Sequence, residues 1–262
     1  MRPTADQLRS MYAYPEPLPA RGWVRASMVS SADGAATGPD GRSGSLATVT
    51  DSAALATMRG LADVILVGAG TAATEKYGLA EPHAGTAATR AALGQAPVAV
   101  MAVLTGSGIV PETLGRSAER ARAGAAGDHT RLLVVTTPAG EQAHAGALHD
   151  QWGVDAVLVC PPHTSRDGRI DAEWAVDALV QRGLPRVLCE GGPGLLAAVV
   201  AAGRLDELCL SVTGRLVGGA AGRIVAGLGR HPGDPAADAV DLTLERVLHD
   251  TDTVLTRWRV RR

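Results

Sequence analysis

The apolar run Arg186-Val187-Leu188-Cys189 ends in a single carboxylate, Glu190, followed by Gly191-Gly192-Pro193-Gly194 and an Ala-, Leu- and Val-rich stretch to Ala202. That order of residues specifies a strand, a tight turn and a helix start. Glycines let the backbone come close to a ligand, and proline suits the first helical turn, where its missing N–H costs nothing. The free N–H groups of such a turn, aided by the helix dipole, attract an anion. The turn therefore reads either as the seat of a cofactor phosphate or as a plain connection. A carboxylate closing a buried strand needs a partner, so Glu190 is a candidate site residue.

The rest of the chain repeats the same grammar. Strand-like runs over 23–30, 63–67, 98–104, 131–136, 156–160, 187–189 and 207–212 are separated by helical or Gly-rich segments. This predicts an α/β fold, with a mostly parallel central sheet and helices on both faces. Residues 242–248 and 253–260 alternate with period two around Asp250-Thr251-Asp252, the pattern of an antiparallel edge hairpin. Thr50 or Asp51 is expected to cap a helix whose apolar side carries Ala54, Leu55, Met58 and Leu61. Residues 1–21 hold Pro3, Pro15, Pro17 and Pro19 and read as a polar N-terminal arm that packs on the domain or stays mobile; residues 22–262 read as a single domain.

Several function classes are disfavoured. With 25 basic and 27 acidic residues the net charge is -2, which offers no electrostatic footprint for nucleic acid or an anionic membrane. No apolar run reaches membrane-spanning length, and the first residues lack the apolar core of a signal peptide, so the cytoplasm is the expected location. Cys160, Cys189 and Cys209 lie in apolar runs without a CxxC pair, and no metal site is expected. His83, His129, His163 and His231 sit in polar segments and read as surface residues. There is no GxxxxGK[ST] loop, no GxSxG elbow and no zinc-deaminase signature. A chain without a nucleophile–base set suits hydride transfer, in which a nicotinamide carries the chemistry.

Three turns follow expected strand ends: Ser31-Ala32-Asp33-Gly34, Gly68-Ala69-Gly70-Thr71 and Glu190-Gly191-Gly192-Pro193. Ligands of open α/β sheets bind outside the carboxyl ends of strands, so the three are expected to converge on one crevice. Taken in order with Ser43-Gly44-Ser45 and Met58-Arg59, these motifs resemble the reductase domain of bifunctional riboflavin-biosynthesis deaminase/reductases and the stand-alone pyrimidine reductases, over about residues 22–260. The resemblance implies a dihydrofolate-reductase-like fold, NADPH as cofactor, a homodimer and a small-molecule substrate. It implies that Ser30, Ser45, Gly68, Ala69, Thr71 and Glu75 lie along NADPH, while Gly191, Gly192, Pro193, Gly194, Leu195 and Leu196 cradle its phosphates. Ser43, Arg59, Leu79 and Glu190 would line the substrate side, with Arg59 as a phosphate clamp.

The implied reaction reduces the ribosyl group of 5-amino-6-(5-phosphoribosylamino)uracil to the ribityl form. Asp33 or Glu190 would be the catalytic carboxylate beside the imine nitrogen. Two departures leave alternatives open. Ser45 stands where the family carries tryptophan, and the segment 75–82 ends without the family's arginine. Reduction of a related substrate such as dihydrofolate, non-catalytic NADPH binding, and methyl transfer with another adenosyl cofactor are the alternatives.

Overall fold

The computed structural model describes residues 2–123, 132–163, 169–227 and 239–262. Arg131, His129 and His231, which entered the expectations above, lie outside the described residues, as does 228–238 of the Gly-rich segment before the last two strands.

The described strands are β1 (Trp23–Ser31), β2 (Val64–Gly68), β3 (Val100–Thr105), β4 (Leu132–Thr136), β5 (Val157–Val159), β6 (Arg186–Cys189), β7 (Glu207–Thr213), β8 (Leu242–His249) and β9 (Thr253–Val260). They form one sheet in the order β5-β4-β3-β2-β6-β1-β7-β9-β8. All pairings from β5 to β7 are parallel, whereas β9 lies antiparallel to both β7 and β8. The mixed sheet and the terminal hairpin thus follow the sequence pattern. Val64 to Val67 are buried throughout, as befits a central strand covered on both faces. β8, on the edge, is largely exposed and carries charge at Glu245 and Arg246.

The helices are α1 (Ala5–Met11), α2 (Val49–Leu61), α3 (Ala69–Thr74), α4 (Ala87–Ala92), α5 (Glu112–Ala123), α6 (Pro138–Trp152), α7 (Ala172–Gln181) and α8 (Pro193–Ala201). They build two hydrophobic cores, one on each face. One core gathers Met58, Ala72, Leu114 and Trp152 against Ile65 and Val67. The other gathers Val176, Leu179, Leu196 and Val199 against Val64 and Leu66. Successive residues of β2 therefore serve opposite layers, as the pleat requires.

Residues 1–21 are more structured than their polar composition predicts. Thr4 and Gln7 form a capping box: the Thr4 N–H donates to Gln7 Oε1 at 2.7 Å and the Gln7 N–H donates to Thr4 Oγ1 at 3.2 Å. Leu8, Met11, Tyr12 and Tyr14 are then buried in the first core. Arg25 of β1, wholly buried, pairs with Glu207 of β7 and donates to the Tyr12 carbonyl at 2.6 Å. Its guanidinium lies 4.1 Å from the Tyr14 ring centre. Arg257 of β9 reaches the other Glu207 oxygen at 3.3 Å and donates to the Met11 carbonyl. An internal charge cluster thus ties the N-terminal segment to the sheet.

The start of α2 corrects an expectation. Its cap is Thr48, whose Oγ1 accepts the Asp51 N–H at 3.1 Å, and not Thr50 or Asp51. Thr50 instead donates to Asp250 in the terminal hairpin. Capping by Thr48 leaves the Asp51 side chain available for another task.

Cys160, Cys189 and Cys209 are buried, and burial pushes the Cys189 thiol up to about 12. Among the described residues no helix is long and apolar enough to cross a membrane. Among the same residues no cluster of three or more His, Cys, Asp or Glu could hold a metal ion.

Candidate active site

β2, β6 and β1 are neighbours and parallel, so the turns that follow them lie along one edge of the sheet. After β2 the chain enters α3, which packs in the first core; after β6 it enters α8, which packs in the second. Adjacent strands that send their helices to opposite faces open a crevice between them. Here the two turns bordering the crevice touch. The Gly68 N–H donates to the Gly191 carbonyl at 2.8 Å. The Gly191–Gly192 peptide is cis, and Gly191 has φ 80°, a value that favours glycine. A Cβ on Gly192 would stand 2.3 Å from Thr71 Oγ1, so only glycine fits beside that hydroxyl. Gly70 and Gly194 face open space. Pro193 occupies the first turn of α8, and no side chain caps that turn.

The sequence-expected residues Gly68, Ala69, Thr71, Gly191, Gly192, Pro193, Gly194 and Leu195 are brought to this crevice by the two turns. Leu196 is buried in the second core, and its N–H closes on the Gly192 carbonyl at 3.0 Å. It anchors α8 rather than facing the opening. A narrow, glycine-lined approach onto an uncapped helix start fits the phosphates of a dinucleotide.

Beside the turn, Glu190 is held by three hydrogen bonds from two side chains. Arg59, in the last turn of α2, donates Nε to Oε1 at 2.7 Å and Nη2 to Oε2 at 2.6 Å. The Tyr77 hydroxyl donates to Oε2 at 2.6 Å, and its ring centre lies 5.1 Å from the Arg59 guanidinium. The Glu190 side chain is 2% exposed. Burial works against the Arg59 charge, yet the Glu190 carboxylate and its hydrogen bonds outweigh it and hold the guanidinium more basic than usual. The Tyr77 hydroxyl is raised well above its ordinary value by burial and by the Glu190 charge. Arg59, expected as a phosphate clamp, thus directs its fork at a protein carboxylate.

A cavity opens next to this group. Ser27, Met28 and Val29 of β1 line it with Ala36, Ser43, Asp51, Leu55, Tyr77 and Glu190. Ser43 and Glu75 are also brought together: the Ser43 N–H and hydroxyl donate to Glu75 Oε1 at 2.6 and 2.9 Å. Glu75 therefore clasps the loop that carries Ser43. Ser45 donates to Asp40 Oδ1 at 2.8 Å within the same loop. Ser30 is buried near the end of β1, and Leu79 is buried in the first core.

Asp33 lies apart from these residues. Its exposed carboxylate accepts from the Ser31 hydroxyl, from the Gly218 N–H at 2.7 Å and from the Val217 N–H at 3.2 Å. These bonds, Ser31 first, hold its pKa down at about 2. Of the two carboxylates expected beside the substrate nitrogen, only Glu190 lines the cavity. Sequence reasoning missed the two titratable lining residues Asp51 and Tyr77. Tyr77 could have been singled out as one of only three tyrosines, two residues after Glu75. Asp51 was visible only as a helix-start acid.

The model of the RibD C-terminal domain matches residues 22–256. A pyrimidine reductase-like protein from Corynebacterium diphtheriae superposes with a TM-score of 0.78 at 26% identity, over 97% of this chain and 98% of that one. The Saccharomyces riboflavin biosynthesis reductase gives 0.63 at 13% identity, over 97% and 98% of the two chains. The bifunctional deaminase/reductase of Thermotoga maritima gives 0.59 at 17% identity, over 92% of this chain and 57% of its own. The last two show the shared fold. Comparison with curated proteins by sequence gives no match. The domain match takes in both glycine turns together with Arg59, Tyr77 and Glu190, and the chain belongs to the RibD C-terminal domain family.

Proposed function

We propose that the protein is a pyrimidine reductase of riboflavin biosynthesis, using NADPH to reduce the ribosyl group of 5-amino-6-(5-phosphoribosylamino)uracil to the ribityl form. The observation that carries this reading is the crevice between β2 and β6, where the Gly68 and Gly192 turns meet beside the buried Glu190. When bound, NADPH supplies the hydride. In this reading the first turn of α8 and the Thr71 hydroxyl hold its phosphates, and the glycines keep the approach narrow. Glu190, fixed by Arg59 and Tyr77, orients the acceptor from the cavity side. Met28, Val29 and Leu55 exclude water from the reacting carbon. The proposed reductase unit is 22–262. The proposal includes a cytoplasmic homodimer; the resemblance supports the dimer, and sedimentation velocity checks it.

Absorbance at the reduced-nicotinamide band, with purified protein and the aminopyrimidine, tests the reaction. NADPH should also raise the unfolding midpoint with ligand concentration. NADPH binding without oxidation would leave a non-catalytic binder. Tight binding of the adenosyl sulfonium cofactor alone would sink the reductase reading.

A second reading, reduction of an unphosphorylated relative such as dihydrofolate, is favoured by one observation. Arg59 already grips Glu190, and among the described residues no lysine or arginine lines the cavity. Comparing kcat/KM for phosphorylated and dephosphorylated acceptors separates the two.

A further inference from the structure

Asp51 lies in the first turn of α2 and lines the same cavity as Glu190 and Tyr77. It is only 9% exposed. The Ser211 hydroxyl, from β7, hydrogen-bonds it, and among the described residues it joins no salt bridge. Tyr12, packed nearby behind α2, is a neutral phenol. Among the described residues, the other titratable groups that line the cavity are Glu190 and Tyr77; the Arg59 guanidinium beside them is committed to Glu190. The α2 dipole favours the anion, but burial dominates and raises the Asp51 pKa.

Reduction of a carbon–nitrogen double bond needs a proton at nitrogen as well as hydride at carbon. Three carboxylates compete for that role. Asp33 faces the loop after β7, where backbone N–H groups hold it. Glu190 already accepts from Arg59 and Tyr77 at both oxygens. Among the described residues, Asp51 is the carboxylate that lines the cavity, is buried and joins no salt bridge.

We propose that Asp51 is a catalytic residue, the acid that delivers this proton to the substrate nitrogen; the proposal rests on the reductase reading above. Hydride bonds to the ribosyl carbon and the carbon–nitrogen π pair moves onto nitrogen. Nitrogen takes the proton from the Asp51 carboxyl, the nicotinamide leaves oxidised, and Asp51 regains a proton from water. Glu190 then keeps its positioning role with Arg59.

Asp51→Asn preserves size and removes the acid. Turnover should fall by about 100-fold or more, the usual worth of a general acid. NADPH affinity, read by nicotinamide fluorescence, should stay within about twofold. The wild-type kcat should fall as pH rises through the Asp51 pKa, and that limb should vanish in Asp51→Asn. Independently of turnover, the infrared band of a protonated carboxyl should persist above the ordinary aspartate pKa of about 3.9 and be missing from Asp51→Asn. Wild-type turnover in a folded Asp51→Asn variant, or no such band in the wild type, overturns the proposal while leaving the reductase reading intact. Failure of the wild type to oxidise NADPH with any aminopyrimidine overturns both.

Discussion

Arg59 grips Glu190 through two parallel bonds, Nε to Oε1 at 2.7 Å and Nη2 to Oε2 at 2.6 Å, across 131 residues of sequence. The pair joins the end of α2 to the end of β6. Fork-to-carboxylate geometry of this kind is directional and strong. It fixes the one carboxylate that stands between the glycine turn and the cavity.

Arg59→Ala should therefore be costly. It leaves Glu190 buried with only the Tyr77 hydroxyl, and one-sided removal of a partly exposed ion pair costs about 2–4 kcal/mol. The urea midpoint should drop at unchanged m-value. Replacing both partners by Met and Gln should recover part of that loss. A midpoint within error of wild type for Arg59→Ala would show that water replaces the guanidinium freely.

Tyr77→Phe removes one bond to Glu190 and keeps the ring over Arg59. The loss should be about 1 kcal/mol in stability, with NADPH affinity unchanged. Equilibrium denaturation and cofactor titration on the same preparation check both halves.

Gly192→Ala should weaken NADPH binding by about tenfold, or about 1.4 kcal/mol, with an unaltered far-ultraviolet dichroism spectrum. The added Cβ would meet Thr71 Oγ1. Thr71→Ala on the same background removes the colliding atom and should restore part of the affinity. A double-mutant cycle reads this coupling directly; strict additivity would mean that the two turns do not act together.

The Asp33 anchor has its own pH window. Its folded pKa is lowered to about 2 from an ordinary value of about 3.9. A lowered carboxyl pKa gives an interaction fully present above the unfolded value and lost as pH falls through the folded one. The amide resonances of Val217 and Gly218 should thus titrate with a midpoint near 2 and stay flat from pH 5 to 8. In Asp33→Asn that titration should disappear. A midpoint near 4 would show that the three hydrogen bonds do not hold the carboxylate.

Glu207→Ala would strand Arg25, which is fully buried, and should cost about 3–5 kcal/mol. Because Arg25 also holds the Tyr12 carbonyl, limited proteolysis before residue 22 should accelerate. Glu207→Gln, which keeps an acceptor for Arg25, should show a smaller loss.

What the sequence made legible follows from the range of the forces involved. The Cys189-Glu190-Gly191-Gly192-Pro193 turn was readable because strand, turn and helix start are local and each uses a distinctive residue type. The parallel sheet and the β8–β9 hairpin followed from periodicity. The helix α1 was missed because seven residues hold too few turns for periodicity to register; the Thr4–Gln7 capping box was the available signal. Asp51 and Tyr77 were missed for another reason. Which way they face depends on the rotation of α2 and on the path after α3 against a sheet assembled from distant strands. Asp33 stood in its loop as a candidate catalytic carboxylate, but the partners that hold it, Val217 and Gly218, lie over 180 residues away.

The two walls of the crevice belong to different hydrophobic cores. Arg59 and Tyr77 stand on the layer built around Met58 and Ala72, while the first turn of α8 stands on the layer built around Leu196 and Val199. On the proposed roles, substitutions inside the first layer shift Arg59, Tyr77 and the Thr71 turn together, and the second layer keeps the first turn of α8 in place. Such a partition lets a lineage resettle one wall of the site while the other stays fixed.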